Sequence, residues 1–478
     1  MLLYRRFKGV MKKVGTILLV SAILFPMAAQ DSGSTAKQEP QPITLTIEQA
    51  VEYANQNSRT LKAAQIDLEM KERASKYAWN VFIPTIKATG TLSRSNEFNS
   101  MYAEMLNPLY KAARMPVTLP TSYADEKSRW VGVGNLSASL NLSLALIQSI
   151  KATHVSYEAG QISWMQTVKK NELDVRKMFY GLLLAQERLD VQKATLENAR
   201  QRARQAETNY RNGQVPELSL LQAQVTYENQ RPEIEKLEQQ LAQQLDTFAF
   251  LLGMPVGTKI KLEGKIEPSF LELTADDLLA KYSEKNEDIR LLEKNIELQK
   301  RNLSALDLSS YTPALVLSWN SQKTNNKIFV EDYMTDRDKW SEGGALSLTI
   351  AWTLSDMLPF SANRQKAKDL QDTIRKLEVK LDTLRQDNEL TVKKTVDSLA
   401  QAKSAIESNR RNITLAQRSY NMTAAAYRAG TRELLDLRDA ETQLNQAKLG
   451  VLNEEFNYMS YLLDLEYILN TQLIGGNK

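Results

Sequence analysis

The 478-residue chain contains no cysteine and a single histidine, His154. The first absence excludes disulfides, thiolate metal centres and cysteine nucleophiles. The second leaves no pair of imidazoles for a metal site, and His154 is read as an ordinary surface or packing residue. No phosphate-cradling Gly-x4-Gly-Lys-Ser/Thr loop, no Gly-x-Ser-x-Gly elbow and no His-Glu-x-x-His helix occurs. No catalytic residue, cofactor or metal site is assigned, and the chain is not expected to be an enzyme. Glycine and proline are sparse, and between Pro359 and Gly430 neither occurs. An excess of one charge is missing too. The chain has 61 Lys and Arg against 57 Asp and Glu, but five of the basic residues and none of the acidic ones fall in 1–29. The rest is nearly neutral, so nucleic acid is not expected as a partner.

The one long apolar run, 14–25, follows Arg5, Arg6, Lys8, Lys12 and Lys13 and precedes Pro26-Met27-Ala28-Ala29. Charged region, short apolar stretch and small-residue cleavage zone make 1–29 a signal peptide, starting at Met1 or Met11. It is short for a membrane-spanning helix. With no cysteine beside the cleavage zone, a lipid anchor there is excluded. A flexible linker, 30–43, follows.

Helical periodicity dominates what is present. Val168, Val175, Leu182, Leu189, Leu196, Ala203 and Tyr210 recur at sevens, a coiled-coil seam that ends at Asn212-Gly213. A returning seam takes Leu218, Leu221, Val225, Ile234, Leu237, Leu241, Leu245, Phe248 and Leu252, with Pro232 expected to kink it. The glycine-free span up to Gly430 holds a second long helix, and Leu437, Leu444, Val451, Tyr458 and Leu465 return from it. Each pair predicts an antiparallel hairpin. A helix of about 65 residues is about 100 Å long, the reach of something that crosses a gap.

Four other segments alternate with period two. Leu136, Ala138, Leu140, Leu142, Leu144 and Leu146 oppose Ser137, Ser139, Asn141 and Ser143; Leu346, Leu348, Ile350, Trp352 and Leu354 oppose Ser347, Thr349, Ala351 and Thr353. Ile86, Ala88, Gly90 and Leu92, and Leu315, Leu317 and Trp319, alternate more weakly. Strands apolar on one face and polar on the other suit a transmembrane β-barrel.

"YRNGQVPELSLLQAQ" from Tyr210 and "YRAGTRELLDLRDAE" from Tyr427 lie 217 residues apart. The halves around them repeat as helix, strand, loop, strand, long helix, glycine turn, long helix. The first repeat is 44–257, with its tip near 212–217; the second is 258–470, with its tip near 429–433; a tail, 471–478, follows. Gly213 and Gly430 are the tip turns. Four strands cannot close a barrel, and an open edge cannot sit in lipid. Three copies supply twelve. The expected fold is thus an α+β membrane protein: a homotrimeric 12-stranded β-barrel continued by a long α-helical barrel. The loop over 97–129 is placed at the exterior mouth.

The segments "LTIEQAVEYANQNSRTLKAAQ" and "FIPTIKATG", with the two tip segments, resemble the TolC family of outer-membrane efflux proteins. The resemblance covers about 45–469, and Gly430, Arg432, Asp436 and Asp439 are its most specific part. It implies an exit duct in the outer membrane of a Gram-negative bacterium, in contact with lipid. A periplasmic adaptor and an inner-membrane transporter would be its partners, and the duct would conduct passively, gated at the periplasmic tips. By the same resemblance Asp436 and Asp439 form the periplasmic constriction. Tyr427 and Arg432 close the tip through contacts with Leu218 and Ser219. Those last two stand where the family's best-known lock has a Thr-Asp pair, so a closing salt bridge does not carry over. The carboxylates Glu454 and Glu455 are read as solvated. An adaptor or coiled-coil scaffold without a channel is the alternative, and it calls for one hairpin among small β domains, not two hairpins with lipid-facing strands.

Overall fold

The computed structural model describes residues 42–96, 101–121, 126–326, 328–329 and 336–473, all within one compact unit that begins at Pro42. The signal peptide, nearly all of the linker and the end of the tail lie outside the described residues.

Strand β1 (Ile43–Leu45) leads into helix α1 (Ile47–Asn57). The Thr46 hydroxyl accepts the Gln49 N–H, and the Gln49 side chain accepts the Thr46 N–H at 3.0 Å, a reciprocal cap. After a break at Ser58 come α2 (Arg59–Lys76), β2 (Thr85–Arg94), α3 (Met101–Ala112) and β3 (Trp130–Leu142). The first hairpin is α4 (Ala145–Arg211) with α5 (Glu217–Leu252). Then follow β4 (Ile260–Leu262), α6 (Ala275–Tyr282), α7 (Glu287–Tyr311), β5 (Ala314–Asn325) and β6 (Ser341–Ala351). The second hairpin is α8 (Ala362–Arg428) with α9 (Leu434–Leu469). Both hairpins pair a helix of 67 residues with one of 36, and corresponding ends are 217 residues apart. Pro232 does not break α5.

The four alternating segments form one antiparallel sheet in the order β2-β3-β5-β6, but β3 and β6 end at Leu142 and Ala351, short of the expected alternation: Leu146 lies in α4 and Leu354 starts a short 3-10 turn. Its register puts like residues in rows: Ile86, Ala138, Trp319 and Leu346 on one face; Thr85, Ser139, Ser318 and Ser347 on the other. Ser318 and Ser347 are hydrogen-bonded at 2.7 Å. The outer strands β2 and β6 are exposed along their whole length, and Ile86, Leu346, Leu348 and Ile350 are each at least 66% exposed. A sheet of a water-soluble domain covers such a face.

The main cores lie midway along the long helices. One gathers Val175, Phe179 and Leu182 of α4, Phe248 and Leu252 of α5, Ala50 and Ala54 of α1, and the β1–β4 pair. The other gathers Val392, Leu399 and Ile406 of α8, Tyr458, Leu462 and Leu465 of α9, and Leu278 of α6. The parallel pairing of β1 with β4, in which Ile43 faces Ile260, ties the start of the chain to the region between the hairpins. Three-residue strands carry too little periodicity to be read from sequence.

Candidate functional site: hairpin tips and the seam between hairpins

Both tips are built alike. Gly213 and Gly430 have φ of 67° and 75°, a conformation that costs any residue with a Cβ. In the first tip the Gly213 N–H donates to Tyr210 O and the Gln214 N–H to Asn209 O, at 2.9 and 2.8 Å. In the second the Gly430 and Thr431 N–H groups donate to Tyr427 O and Ala426 O, both at 3.0 Å. These paired bonds satisfy the last carbonyls of each long helix and turn the chain back.

Beyond the second turn, Glu433 caps α9 and Asp436 completes the reciprocal cap, accepting the Glu433 N–H at 3.4 Å. Asp436 also pairs with Arg432 at 3.5 Å. The structure therefore gives Asp436 a local role that the acidic pattern alone did not reveal. Asp439, one turn on, is exposed, and Tyr427 is half-buried. In the first tip Leu218 is exposed and Ser219 half-buried. The polar contacts described for Arg432 and Ser219 are local to their own turns. Leu218, Leu221 and Val225, expected in the returning seam, all face outward; Ala223 takes the buried position instead.

The seam between the hairpins lies where α9 packs on α4. Glu441 of α9 is only 6% exposed. It is paired with Arg202 of α4 and accepts a hydrogen bond from the Asn198 amide at 3.0 Å. One turn further from the tip the Asn445 amide donates to the Thr195 hydroxyl at 2.8 Å, and Lys177 meets Asp464 at 2.6 Å further still. Within the second hairpin Arg410 reaches Glu455 at 2.6 Å. Glu455 is buried, so the expectation that it is merely solvated is corrected. Seam spacing carried the missed signal. Glu441 and Glu455 continue the heptad position of Leu462 and Leu469, both fully buried.

Several of these features recur at the 217-residue interval. Lys193–Glu238, at 2.6 Å, stands in the first hairpin where Arg410–Glu455 stands in the second. Buried Asn171 of α4 accepts from the Ser58 hydroxyl at 3.3 Å. Its counterpart, buried Asn388 of α8, accepts from the Asn286 amide at 3.1 Å. Gly253 and Asn470, which end α5 and α9, both take left-handed φ.

On α7, Lys294 lies 2.7 Å from Glu158 of α4 and 3.1 Å from Glu297. The bonds to Glu158 and then Glu297 raise the ammonium's pKa above the ordinary lysine value. The Lys294 bond holds Glu297 below the ordinary glutamate value. His154 contacts the Ser75 hydroxyl at 2.5 Å and links α4 to α2. No group of acidic or imidazole side chains suited to a metal occurs among the described residues. No described helix is long and apolar enough to cross a membrane.

A sheet with a bare apolar face, carried on two long helical hairpins, is a fold that superposes on solved outer-membrane proteins. The profile of the outer membrane efflux protein family matches residues 50–254. Nodulation protein T of Rhizobium leguminosarum bv. trifolii is 21% identical over 321 residues, 66% of this chain and 65% of that protein. Outer membrane protein TolC of Salmonella enteritidis is 31% identical over 81 residues, 17% of this chain and 16% of that protein. The chain thus spans less than two thirds of either relative's length. The Campylobacter jejuni CmeC outer membrane channel superposes with a TM-score of 0.72 at 13% identity, over 88% of this chain and 85% of CmeC. Over residues 50–254 the chain is thus similar to the TolC-like family of outer membrane efflux proteins. That sets it in the outer membrane of a Gram-negative bacterium, with an extension into the periplasm.

Proposed function

We propose that the chain is one protomer of a homotrimeric exit duct. It would pass solutes passively from an inner-membrane transporter, through a periplasmic adaptor, to the exterior. The observation that carries this is the sheet. Its apolar face is bare, which is unfavourable in water, and its two outer strands have unused edges, which are unfavourable in lipid until paired. Three sheets joined edge to edge give twelve strands, an even number within the range of such barrels. Strands of 10–13 residues are long enough to cross the hydrocarbon layer when tilted. The aromatic and apolar residues where strands meet helices, among them Trp79, Phe82, Tyr311, Trp352 and Phe360, are exposed and suit the inner interface.

The helices support the same assembly. The matched lengths and the 217-residue interval favour two repeats, 44–257 and 258–470. Inside one chain α9 of the second repeat packs on α4 of the first. The related surfaces, α5 of the first and α8 of the second, are uncovered. Leu218, Leu221 and Val225 on α5, and Leu415 and Met422 on α8, are strongly exposed. A neighbouring copy that brings its α5 to α8 repeats the internal arrangement and covers both. In such a tube Asp436 and Asp439 line the narrowed periplasmic end. Tyr427 and Arg432 pack against Leu218 and Ser219 to keep it closed. Purified protein in detergent is expected to run as a trimer and to open ion-conducting pores in planar bilayers. A monodisperse monomer that forms pores by itself overturns the reading.

A further inference from the structure

The polar face of the sheet is almost free of charge. At alternate positions of β2, β3, β5 and β6 it carries Ser, Thr, Asn and Gln among small or branched apolar residues, and its one ionisable side chain is Lys87. The register sets Lys87 level with Ser137, Asn320 and Ala345, near the middle of β6, and the pairing around it is continuous. The other charged residues of these strands, Arg94, Lys323 and Glu342, stand on the opposite face, toward the ends joined by the hairpin loops. Each of them has a partner: Arg94 pairs with Glu126 at 2.6 Å, and Lys323 pairs with Glu342. Lys87 is exposed and meets no carboxylate among the described residues. The polar groups beside it are donors. The Asn320 Oδ1 accepts the Ala345 N–H at 3.0 Å, which leaves the Asn320 amide N–H groups to donate, and Ser137 offers a hydroxyl.

Lysine is depleted in strands, and a lone ammonium that faces lipid at mid-depth is strongly disfavoured. In the proposed barrel the polar face lines the passage, so three copies place three Lys87 ammonium groups at one height. The second repeat adds none. Counted from Pro84 and Pro313, which precede β2 and β5, Val316 stands where Lys87 does. Twelve strands about 4.8 Å apart and tilted about 40° close at a backbone radius of about 12 Å. The four-carbon stem of lysine spans roughly half of that. The three charges then lie about 10 Å from one another, close enough for their fields to overlap at about 0.1 M salt. No carboxylate on the polar face of the strands offsets them, and a ring of this kind selects anions.

We propose that Lys87 forms a three-lysine ring inside the barrel that binds anionic solutes in transit (carboxylates, sulfonates or phosphates), with the Ser137 hydroxyl and the Asn320 amide completing each site. This rests on the trimeric-duct reading. The passage would be acidic at its periplasmic tip and basic where it crosses the membrane.

The test uses purified protein in planar bilayers, with hexacyanocobaltate, a trivalent anion, added on the exterior side. The parent is expected to be blocked. Lys87→Arg is expected to stay within about twofold of the parent, and Lys87→Gln to need more than about tenfold more anion for the same block. The chain has no cysteine, so Lys87→Cys introduces a unique thiol. Block of that variant is expected to be weak, to return when a cationic thiosulfonate restores the charge, and to stay weak with an anionic one. A parent that is not blocked, or Lys87→Gln blocked as strongly as the parent, overturns the proposal. So does failure of both reagents to reach the introduced thiol from either aqueous side, which sets position 87 against lipid. The duct reading fails separately: a monomer that opens no pore removes the barrel and the ring together, whereas trimeric pores without lysine-dependent block remove the ring alone.

Discussion

Asp439 and Glu441 are two residues apart on one helix and share one chemistry, yet one is exposed and the other is sealed against an arginine. Helix face decides between them, and so it does for the glycines. Gly213 and Gly430 were legible because a left-handed residue after a long helix calls for glycine. Glu441 and Glu455 were not, because carboxylates on helices are usually solvated. Gly253 also has positive φ, but a Cβ there would lie 2.3 Å from the Asn57 carbonyl oxygen, whereas at Gly213 it would meet open space. Gly213→Ala is therefore expected to cost about 1 kcal/mol, and Gly253→Ala about 1–3 kcal/mol more. Urea unfolding followed by circular dichroism checks the order. Tyr458 is fully buried; its hydroxyl accepts the Leu271 N–H at 3.0 Å and donates to Ser269 O at 3.3 Å. Tyr458→Phe strands that N–H and is expected to cost about 1–3 kcal/mol in the same assay.

Among the elements, periodicity revealed what was long and missed what was short. The seams at sevens predicted both hairpins, and the alternation of Leu with Ser predicted the faces of the sheet, now joined in rows by register. The break at Ser58, the strands β1 and β4, and α3 between β2 and β3 escaped, because a few residues carry no period and their pairing is set by distant parts of the chain. Pro232, expected to kink the returning helix, lies inside α5 without ending it. The contact of α7 with α4 gives a pH prediction. Lys294 has a raised pKa, so its contribution is complete below the unfolded value of 10.5 and is lost as pH rises through the folded one. Glu297 has a lowered pKa, so its contribution is complete above the unfolded value of 4.5 and is lost as pH falls through the folded one. Both are intact near neutrality. Lys294→Met is expected to lower stability at neutral pH by less than about 1 kcal/mol, because the groups are partly exposed and screened. The difference from the parent should shrink toward both pH extremes; melting curves at several pH values test this.

At the scale of the assembly, the proposed trimer would place three copies of Asp436 and Asp439, six carboxylates, around one passage at its tapered end. Such a ring favours cations. The expected outcome is a small cation-selective conductance in planar bilayers, blocked from the periplasmic side by multivalent cations. Asp436→Asn with Asp439→Asn is expected to weaken the block and the selectivity. Arg432 pairs with Asp436 inside its own turn, so Arg432→Ser tests whether that contact braces the closed tip, with a rise in resting conductance expected. What no single sequence displays is the partner surface, since residues that face a neighbouring copy look like any other exposed side chain.

The two bare edges of the sheet bear on how the protein reaches its membrane. A lone sheet that enters the hydrocarbon layer would carry unpaired N–H and C=O groups with it, at several kcal/mol for each. Entry by one copy is therefore uphill, and it becomes downhill only when the edges are closed by others. Insertion into vesicles is accordingly expected to show a lag, and an initial rate that climbs more steeply than in proportion to protein concentration. The event that commits the chain to the bilayer is then an encounter between copies at its surface, not the folding of any one of them.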